Sequence, residues 1–294
     1  MKLEQAVDRA EALIEALPFI QKFRGNTFVI KYGGSAMEDD HLIDRLLRDV
    51  VFLEAVGINP VLVHGGGKAI TNRMREAGLK ANFVNGLRIT DDASIAIVSE
   101  VLDQMINPRI VETIDAFGGK AYGFSGADVI MAEKLPPQVD GKTGEPVDVG
   151  FVGEVTGLHL DEVVKMVDSE IVPVISPIGC DKQGTILNVN ADVAAGAVAA
   201  ALRANKLIYL SDVPGIMRDP RDADSLISSL SPEMIQKLID DEIIEGGMIP
   251  KVESGVYALS AGVQKAHLID GRVPHALLIE IFTNAGIGTE LVKK

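Results

Sequence analysis

The chain has one cysteine, Cys180, no tryptophan, and aromatic residues at only 4% of its 294 positions. A single cysteine cannot form an intramolecular disulfide, and it cannot supply a cysteine-based zinc site. Because secreted proteins commonly rely on disulfides, this composition predicts a cytoplasmic protein.

Long hydrophobic runs are also absent. The longest fully apolar stretch, residues 193–202, is about half as long as the ~20 residues that a membrane-spanning helix needs. The N-terminal region contains acidic residues throughout and lacks the apolar core of a secretory signal. We therefore expect no membrane partner and no targeting segment.

Positive charge is scarce, because 28 Lys and Arg residues stand against 42 Asp and Glu residues, for a net charge of −14. A surface this acidic repels phosphate, which excludes nucleic acid or an anionic membrane as a broad-surface partner. A small anionic substrate is still allowed, since it needs only a few local positive charges. The length corresponds to about two domains, and the 47% hydrophobic content is normal for a globular chain.

Apolar, β-branched runs bounded by glycine alternate with segments of helical periodicity. We predict strands at 27–32, 60–64, 171–177, 206–212 and 264–269, and helices at 39–56, 68–77, 92–106, 192–203 and 249–261. This alternation is typical of an α/β protein with a central, mostly parallel sheet and helices on both faces, a three-layer αβα sandwich. The strongest candidate boundary divides the chain into residues 1–180 and 181–294.

A separate amphipathic helix is predicted at the N-terminus, over residues 2–16 and ending near Pro18. It precedes the first strong strand and belongs to no strand–helix–strand unit. Two interpretations stay open: the helix packs on its own domain, or it contacts another subunit.

Two glycine-rich loops follow predicted strands. Lys31 lies at the C-terminal end of the first strand, shortly before Gly33 and Gly34, and His64 is followed by glycine at 65–67. Open α/β sheets bind ligands at this edge, and glycine lets the backbone at a helix N-terminus approach an anion. The alternatives are an exposed lysine before an ordinary turn, and a flexible loop without a ligand.

Polar residues cluster in two further places. Asn188, Asn190 and Asp192 alternate along the chain, so an extended segment puts them on one side. The alternative is that they only cap the next helix. Arg88 is a candidate carboxylate clamp, since a guanidinium can form two parallel hydrogen bonds with a carboxylate. The alternative is a surface arginine.

A second lysine, Lys251, is predicted in the first turns of a helix, after Gly246 and Gly247. A cation at that position is unfavourable with the helix dipole unless an anion lies nearby. Ser211 and Asp212 end another predicted strand, at the edge where a ligand is expected.

The motifs KYGGS, HGGG, NGLRIT, NVNAD, LSDVPGI and GGMIPK occur in this order, and with them the sequence resembles the amino acid kinase family from about residue 27 to its C-terminus. Each motif alone is weak evidence, but the six in one order at compatible spacing are specific. NGLR together with NVNAD is most similar to the branch that acts on N-acetyl-L-glutamate, and differs from the branches that act on carbamate, aspartate, glutamate or uridylate.

The resemblance implies transfer of a phosphoryl group from ATP to the side-chain carboxylate of N-acetyl-L-glutamate, a step of arginine biosynthesis. It implies that Lys31 and Lys251 neutralise the transferring group and that Asp192 holds both lysines in place. The substrate would contact Gly66, Gly67, Arg88, Asn188 and Asn190. The nucleotide would contact Gly33, Gly34, Ser211, Asp212 and Met248.

The same resemblance implies a division of labour along the chain. Residues 1–180 would carry the N-terminal helix, the N-acetylglutamate site and a dimer interface, and residues 181–294 would bind ATP. Magnesium would accompany ATP and be held mainly by phosphates and water. This agrees with elementary chemistry, since transfer between two anions needs positive charge and positioning, and an ionised carboxylate needs no general base.

The N-terminal helix and the C-terminal segment resemble the arginine-inhibited branch of the family, in which three dimers form a hexamer. There Lys206, His267, Glu280 and Gly286 would line a site for L-arginine. The alternative is a helix and loop that only close the sheet.

Two rival functions also stay open. The first is a kinase of the same family that acts on glutamate or aspartate. The second is a regulator that binds a nucleotide or an amino acid without catalysis. Retention of Lys31, Lys251 and Asp192 argues against the regulator, because binding alone does not need all three.

Overall fold

The computed structural model describes residues 3–37, 39–141, 143–284 and 286–293. The elements up to residue 134 are, in chain order, α1 (Leu3–Phe23), β1 (Thr27–Tyr32), α2 (Asp40–Ala55), β2 (Asn59–His64), α3 (Gly67–Glu76), β3 (Phe83–Val84), β4 (Leu87–Arg88), α4 (Asp92–Ser99), α5 (Asn107–Ala116), β5 (Ala121–Phe124), α6 (Gly126–Val129) and β6 (Ile130–Lys134). A π-helical segment, Glu100–Ile106, joins α4 to α5.

The remaining elements are β7 (Gln138–Val139), β8 (Pro146–Val147), β9 (Val152–Leu158), α7 (Asp161–Asp168), β10 (Val172–Ile175), β11 (Ile178–Cys180), β12 (Ile186–Val189), α8 (Ala191–Ala201), β13 (Lys206–Ser211), β14 (Ser229–Leu230), α9 (Pro232–Asp240), α10 (Ile249–Ser260), β15 (Lys265–Asp270), α11 (Ala276–Phe282) and β16 (Thr289–Leu291). Within the described ranges, no helix combines the length and the apolar character needed to cross a membrane.

One eight-stranded sheet runs through the molecule in the order β14-β16-β15-β13-β1-β2-β10-β5. Strands β15, β13, β1, β2, β10 and β5 are parallel, and β16 pairs antiparallel with β15. The central strands are buried on both faces, which explains their nearly continuous apolar sequences. The predicted α/β fold with a mostly parallel sheet is confirmed.

Helices cover both faces of this sheet, and side chains alternate between two cores. On β1, Phe28 and Ile30 pack into the core formed with α2, α5 and α11, whereas Val29 packs into the core formed with α8 and α10. Since side chains alternate along a strand, Lys31 lies on the face covered by α8 and α10. The sandwich thus directs this lysine toward two helix N-termini.

Smaller sheets lie beside the main one. Strands β11, β12, β9 and β6 close into a small barrel, and β3–β4 and β7–β8 are short hairpins. The β3–β4 turn uses Asn85 and Gly86 with φ of 46° and 81°, values that favour a tight hairpin turn. The Asn85 side chain donates to the Val139 carbonyl and accepts from the Gly141 N–H, so it joins the two hairpins.

Helix α1 is longer than the sequence predicts. Lys2 lies outside the described residues, and the helix continues through Pro18 to Phe23 instead of ending near the proline. The second half of α1 packs on the core, with Phe23 buried and Phe19 and Ile20 half-buried. This burial offsets the one backbone hydrogen bond that Pro18 cannot donate.

The predicted helix over residues 92–106 is wrong in its second half. The α-helix ends at Ser99, and the next seven residues form a π-helix, with a wider turn than an α-helix. The apolar period continues across the junction, so nothing in the sequence marks the change.

Candidate active site

One buried carboxylate lies between two lysines that come from distant parts of the chain. Lys31 Nζ, at the end of β1, is 3.0 Å from Asp192 Oδ1, and Lys251 Nζ, in the first turn of α10, is 2.9 Å from Asp192 Oδ2. Lys251 also donates to the Gly247 carbonyl at 3.2 Å. The structure therefore brings together the three residues predicted to be catalytic.

Local helix chemistry explains why these elements meet. The Oδ1 atom of Asn190 accepts hydrogen bonds from the N–H groups of Asp192 and Val193 and caps α8. The helix dipole favours an acidic side chain in that first turn, and it disfavours Lys251 in the first turn of α10. The ion pair with Asp192 compensates the unfavourable interaction between the Lys251 ammonium group and the dipole of α10.

The charge on Asp192 is maintained by its two partners. Burial alone would raise the pKa of this carboxyl group. The two nearby ammonium groups and their hydrogen bonds outweigh burial and lower the pKa below its usual value. Asp192 is thus an anion that orients two cations, and it is not a proton donor.

The two glycine-rich loops lie against each other and against Lys31. The Gly65 N–H donates to the Tyr32 carbonyl at 2.6 Å. A Cβ atom at Gly33 would lie 2.7 Å from Lys31 Nζ, so a larger residue there would displace the ammonium group. At Gly66, a Cβ atom would lie 2.6 Å from Leu102 Cδ2. Glycine at both positions allows a close approach that a side chain would prevent.

His64 stabilises the second loop from below. Burial lowers its pKa to about 4, so the imidazole is neutral. Its Nδ1 lies 3.0 Å from the Gly65 carbonyl and donates to it, and its Nε2 accepts from Asn107 at 3.3 Å. The histidine is a structural hydrogen-bonding residue.

Arg88 points into the second loop rather than away from the protein. Its Nη2 donates to the Gly67 carbonyl at 2.8 Å and to Thr71 Oγ1 at 2.9 Å, and its guanidinium lies over the Phe83 ring. Partial burial lowers the pKa of the guanidinium, which nevertheless stays charged. The alternative of an ordinary surface arginine is excluded by this burial.

Asn188 connects the loops to the small barrel. Its Nδ2 donates to Thr90 Oγ1 at 3.2 Å, and Thr90 in turn donates to the Arg88 carbonyl at 2.8 Å. Asn188, Asn190 and Asp192 all line one cavity, although the segment is not extended throughout: Asn188 is in β12, Asn190 caps α8 and Asp192 is in its first turn. The motif therefore caps α8 and also contributes to the lining of the cavity.

A cavity of about 600 Å³ lies at the C-terminal ends of β1 and β2. Its lining includes the predicted residues Lys31, Gly34, Gly66, Gly67, Arg88, Asn188, Asn190 and Asp192. Gly33 and Lys251 lie next to this lining, because Gly33 is in close contact with Lys31 and Lys251 pairs with Asp192. The predicted nucleotide residues Ser211, Asp212 and Met248 lie outside the cavity, in the second half of the chain.

Sequence reasoning missed the apolar wall of this cavity. The wall is formed by Met37, Ile43, Ile70, Phe83, Leu102, Met105 and Ile106, and Arg109 also lines the cavity. Three of these residues belong to the π-helical segment. No motif identifies them, because an isolated apolar residue in a helix or strand is more often part of the core than of a site.

The described part of the chain supplies no cage of metal ligands. Among the residues that the structure describes, no group of three or more His, Cys, Asp or Glu side chains is placed to hold a metal ion. The single carboxylate at the lysine cluster, Asp192, has both oxygens engaged by ammonium groups. These residues therefore do not fit a role as metal ligands.

A second buried polar cluster lies at the opposite ends of the strands. Lys206 Nζ is 2.9 Å from His267 Nε2, and His267 Nδ1 is 2.7 Å from Glu280 Oε1. Burial lowers the pKa of Lys206 to about 8, although Glu280 opposes this shift. Glu280 also accepts the Ile287 N–H, next to Gly286, whose φ is +56°. The structure thus brings the four predicted effector residues together.

Comparison with known proteins places the chain in one family. The model of the amino acid kinase family matches residues 26–270. The acetylglutamate kinase of Akkermansia muciniphila is 47% identical, over 100% of this chain and 98% of its own length. The acetylglutamate kinase of Methanocaldococcus jannaschii is 46% identical, over 100% of this chain and 99% of its own length.

A solved structure agrees with the fold. The N-acetylglutamate synthase of Neisseria gonorrhoeae, in complex with coenzyme A and L-arginine, is 25% identical and superposes with a TM-score of 0.79 over 97% of this chain. This chain spans 65% of the length of that synthase. The predicted enzyme class, a phosphotransferase that acts on a carboxyl group, is confirmed by the relatives at full coverage. The chain belongs to the amino acid kinase family.

Proposed function

We propose that this protein transfers the γ-phosphoryl group of ATP to the side-chain carboxylate of N-acetyl-L-glutamate, giving N-acetyl-L-glutamyl 5-phosphate and ADP. The observation that carries the proposal is the pair of lysines held by the buried Asp192 at the edge of a cavity that contains Arg88. The names and the coverage of the two acetylglutamate kinases described above support this substrate and a place in arginine biosynthesis. A cytoplasmic setting stays a prediction.

The proposed mechanism relies on charge and positioning. Lys31 and Lys251 neutralise the phosphoryl group while it moves between two anions, and Asp192 fixes both ammonium groups. Arg88 binds the α-carboxylate of the amino acid, with Asn188 and Asn190 beside it. Backbone N–H groups of Gly66 and Gly67, at the start of α3, contact the acetylated substrate. The attacking carboxylate is ionised at neutral pH and needs no base.

The nucleotide would be bound mainly by residues of the second half of the chain. We propose that Ser211, Asp212 and Met248 hold ATP and that Gly33 and Gly34 contact its terminal phosphates. Most contacts with the amino acid then come from residues 1–180 and most contacts with the nucleotide from residues 181–294, while Asn188, Asn190 and the Gly33–Gly34 pair cross this division. Magnesium would be held by phosphates and water, because Asp192 is already engaged by two lysines. It would lessen the charge of the phosphates.

An assay of the product tests the substrate. Incubation with ATP, magnesium and N-acetyl-L-glutamate in the presence of hydroxylamine should give a hydroxamate, because hydroxylamine traps acyl phosphates. Parallel reactions with L-glutamate and L-aspartate should give at least about tenfold less hydroxamate, because neither substrate has the acetyl group. A factor of about ten corresponds to the loss of one contact with that group. Equal product from glutamate would favour the rival carboxylate kinase, and binding of ATP without hydroxamate would favour the regulator.

The catalytic role of Lys31 is tested by Lys31→Ala. We expect kcat to fall by about 100-fold or more, since one charge-stabilising group is lost from the transition state. The fold should persist, because Lys251 still neutralises Asp192. The matched control is Lys165→Ala, which removes an exposed lysine that pairs with the exposed Glu162 one turn earlier on α7. Near-normal turnover by Lys31→Ala would disprove the assignment.

We also propose that L-arginine inhibits the enzyme at the Lys206–His267–Glu280 cluster. The cluster is buried, and it contains a carboxylate that can pair with a guanidinium. Lys206 lies 5.4 Å from the ring centre of Phe23, so the cluster adjoins the end of α1. A structural relative, the Neisseria gonorrhoeae synthase, is known in complex with L-arginine.

Titration with L-arginine tests this site. Activity should fall as L-arginine rises, and Glu280→Gln should raise the half-inhibitory concentration by roughly tenfold or more, because a charge-assisted hydrogen bond is lost. D-arginine serves as the ligand control. An unchanged rate at all L-arginine concentrations would contradict the proposal.

The first half of α1 supports a proposal on assembly. Leu3, Leu13 and Ile14 are 80%, 65% and 68% exposed, which is unusual for large apolar residues on an amphipathic helix. We propose that these residues pair with the same helix of another copy, and that dimers formed through residues 1–180 join into a hexamer in this way.

Light scattering in solution tests the assembly. The protein should have the mass of six chains, and Leu13→Asp together with Ile14→Asp should reduce it to two chains, because a charge cannot be buried in an apolar helix contact. Val139→Asp, at an exposed apolar residue of the β7–β8 hairpin, is the control and should leave the mass unchanged. A double variant that remains hexameric would refute this role of α1.

A further inference from the structure

Two buried hydroxyl groups are linked by hydrogen bonds to the backbone of Lys251, a member of the lysine–aspartate cluster. The phenol oxygen of Tyr209, on β13, lies 2.6 Å from Ser254 Oγ, on α10, and Tyr209 is fully buried. Ser254 Oγ donates to the backbone carbonyl of Lys251 at 3.1 Å. Because Ser254 has a single hydroxyl hydrogen, Tyr209 is the donor between the two hydroxyls.

Tyr209 is also the neighbour of Lys31 in the sheet. Strands β1 and β13 are parallel, and their register places Lys31 opposite Tyr209. Tyr209 packs into the core formed with α8 and α10, the face on which Lys31 lies. Tyr209 is therefore the cross-strand partner of the first lysine, and it reaches the backbone of the second lysine through one serine.

Gly196 allows α8 and α10 to approach each other at this serine. A Cβ atom at Gly196 would lie 2.9 Å from both the Cβ atom and the carbonyl oxygen of Ser254. Gly196 is about one turn after Asp192 in α8, and Ser254 is about one turn after Lys251 in α10. The close approach of the helices thus accompanies the contact between Asp192 and Lys251.

Core packing does not require these hydroxyls. The Tyr209 ring belongs to an apolar core cluster, so a phenylalanine would bury the same ring there without a polar group. A serine that bonds to a carbonyl within its own helix adds little to helix stability. Burial raises the pKa of Tyr209 well above its ordinary value, so the phenol keeps its proton and remains a donor.

We propose that Tyr209 and Ser254 are positioning residues for phosphoryl transfer, which hold the Lys251 turn of α10 at a fixed distance from Lys31 on β1. The inference rests on the proposed function, because it assumes that both lysines act on the transferring group. Lysine has a long flexible side chain, and a misplacement of about 1 Å at a reacting group can cost roughly 100-fold in rate. A fixed backbone carbonyl at Lys251 limits that freedom.

The test compares Tyr209→Phe, Ser254→Ala and the double variant in the full chain. The matched control is Ser260→Ala, because Ser260 is on the same helix and donates to the carbonyl three residues earlier, that of Tyr257, at 2.7 Å. The measurements are kcat, KM for ATP, KM for N-acetyl-L-glutamate, and the midpoint of thermal unfolding.

We expect each single variant to lower kcat about fivefold, the effect of one hydrogen bond, with both KM values changed less than about twofold. The double variant should lose little more than the worse single variant, because the two hydroxyls act as one unit. Ser260→Ala should match the unmodified protein in kcat.

A purely structural pair would give a different result. The unfolding midpoints would fall while kcat stayed within about twofold of the unmodified protein, and this would overturn the proposal. A double variant whose loss of kcat equals the product of the two single losses would also overturn the proposal, since the two residues would then act independently. If Ser254→Ala does not fold, the isosteric Tyr209→Phe decides by itself. An unmodified chain inactive on N-acetyl-L-glutamate would overturn the proposed function and this inference with it.

Discussion

The structure depends on one electrostatic arrangement, the buried carboxylate of Asp192 between two ammonium groups. A carboxylate removed from water is costly unless it is paired, and here each oxygen has its own cation. The pairing requires the end of β1, the start of α8 and the first turn of α10 to meet at one point. Two ammonium groups against one carboxylate leave one positive charge, which an anionic ligand can neutralise.

Backbone N–H groups of the two glycine-rich loops supplement the positive charge of the lysine side chains. The two glycine-rich loops lie in contact at the ends of β1 and β2, and Gly33 and Gly66 leave room for Lys31 and Leu102. This arrangement provides N–H donors without adding a net charge. An acidic protein can therefore offer a site for anions while most of its surface repels them.

The features that could be predicted from the sequence were those with a local cause. The predicted bounds of strand β1 match the observed ones, because an apolar, β-branched run between glycines is compatible with few other secondary structures. The grouping of Lys31 with Asp192 and Lys251 came from the resemblance to a family. The spacing along the chain could not provide it, since Lys251 is 59 residues from Asp192.

The unpredicted features depend on tertiary contacts. Helix α1 passes through Pro18 because Phe23 is buried beyond it. The π-helical segment retains an apolar pattern that an α-helix would also satisfy. The Tyr209–Ser254 contact depends on the register of β13 against β1 and on the distance between two helices, and neither is encoded in a short motif. Parallel strands are connected by long crossover segments, so no short stretch of sequence indicates their register.

The junction between the two halves of the chain is itself a hydrogen-bonded ladder. Residues 1–180 contribute β1, residues 181–294 contribute β13, and these strands pair in the middle of one continuous sheet. Separating the halves would uncover two long, apolar strand edges, which are templates for aggregation. The proposed division of ligands between the halves is therefore not a division into folding units, and neither half is suited to be produced without the other.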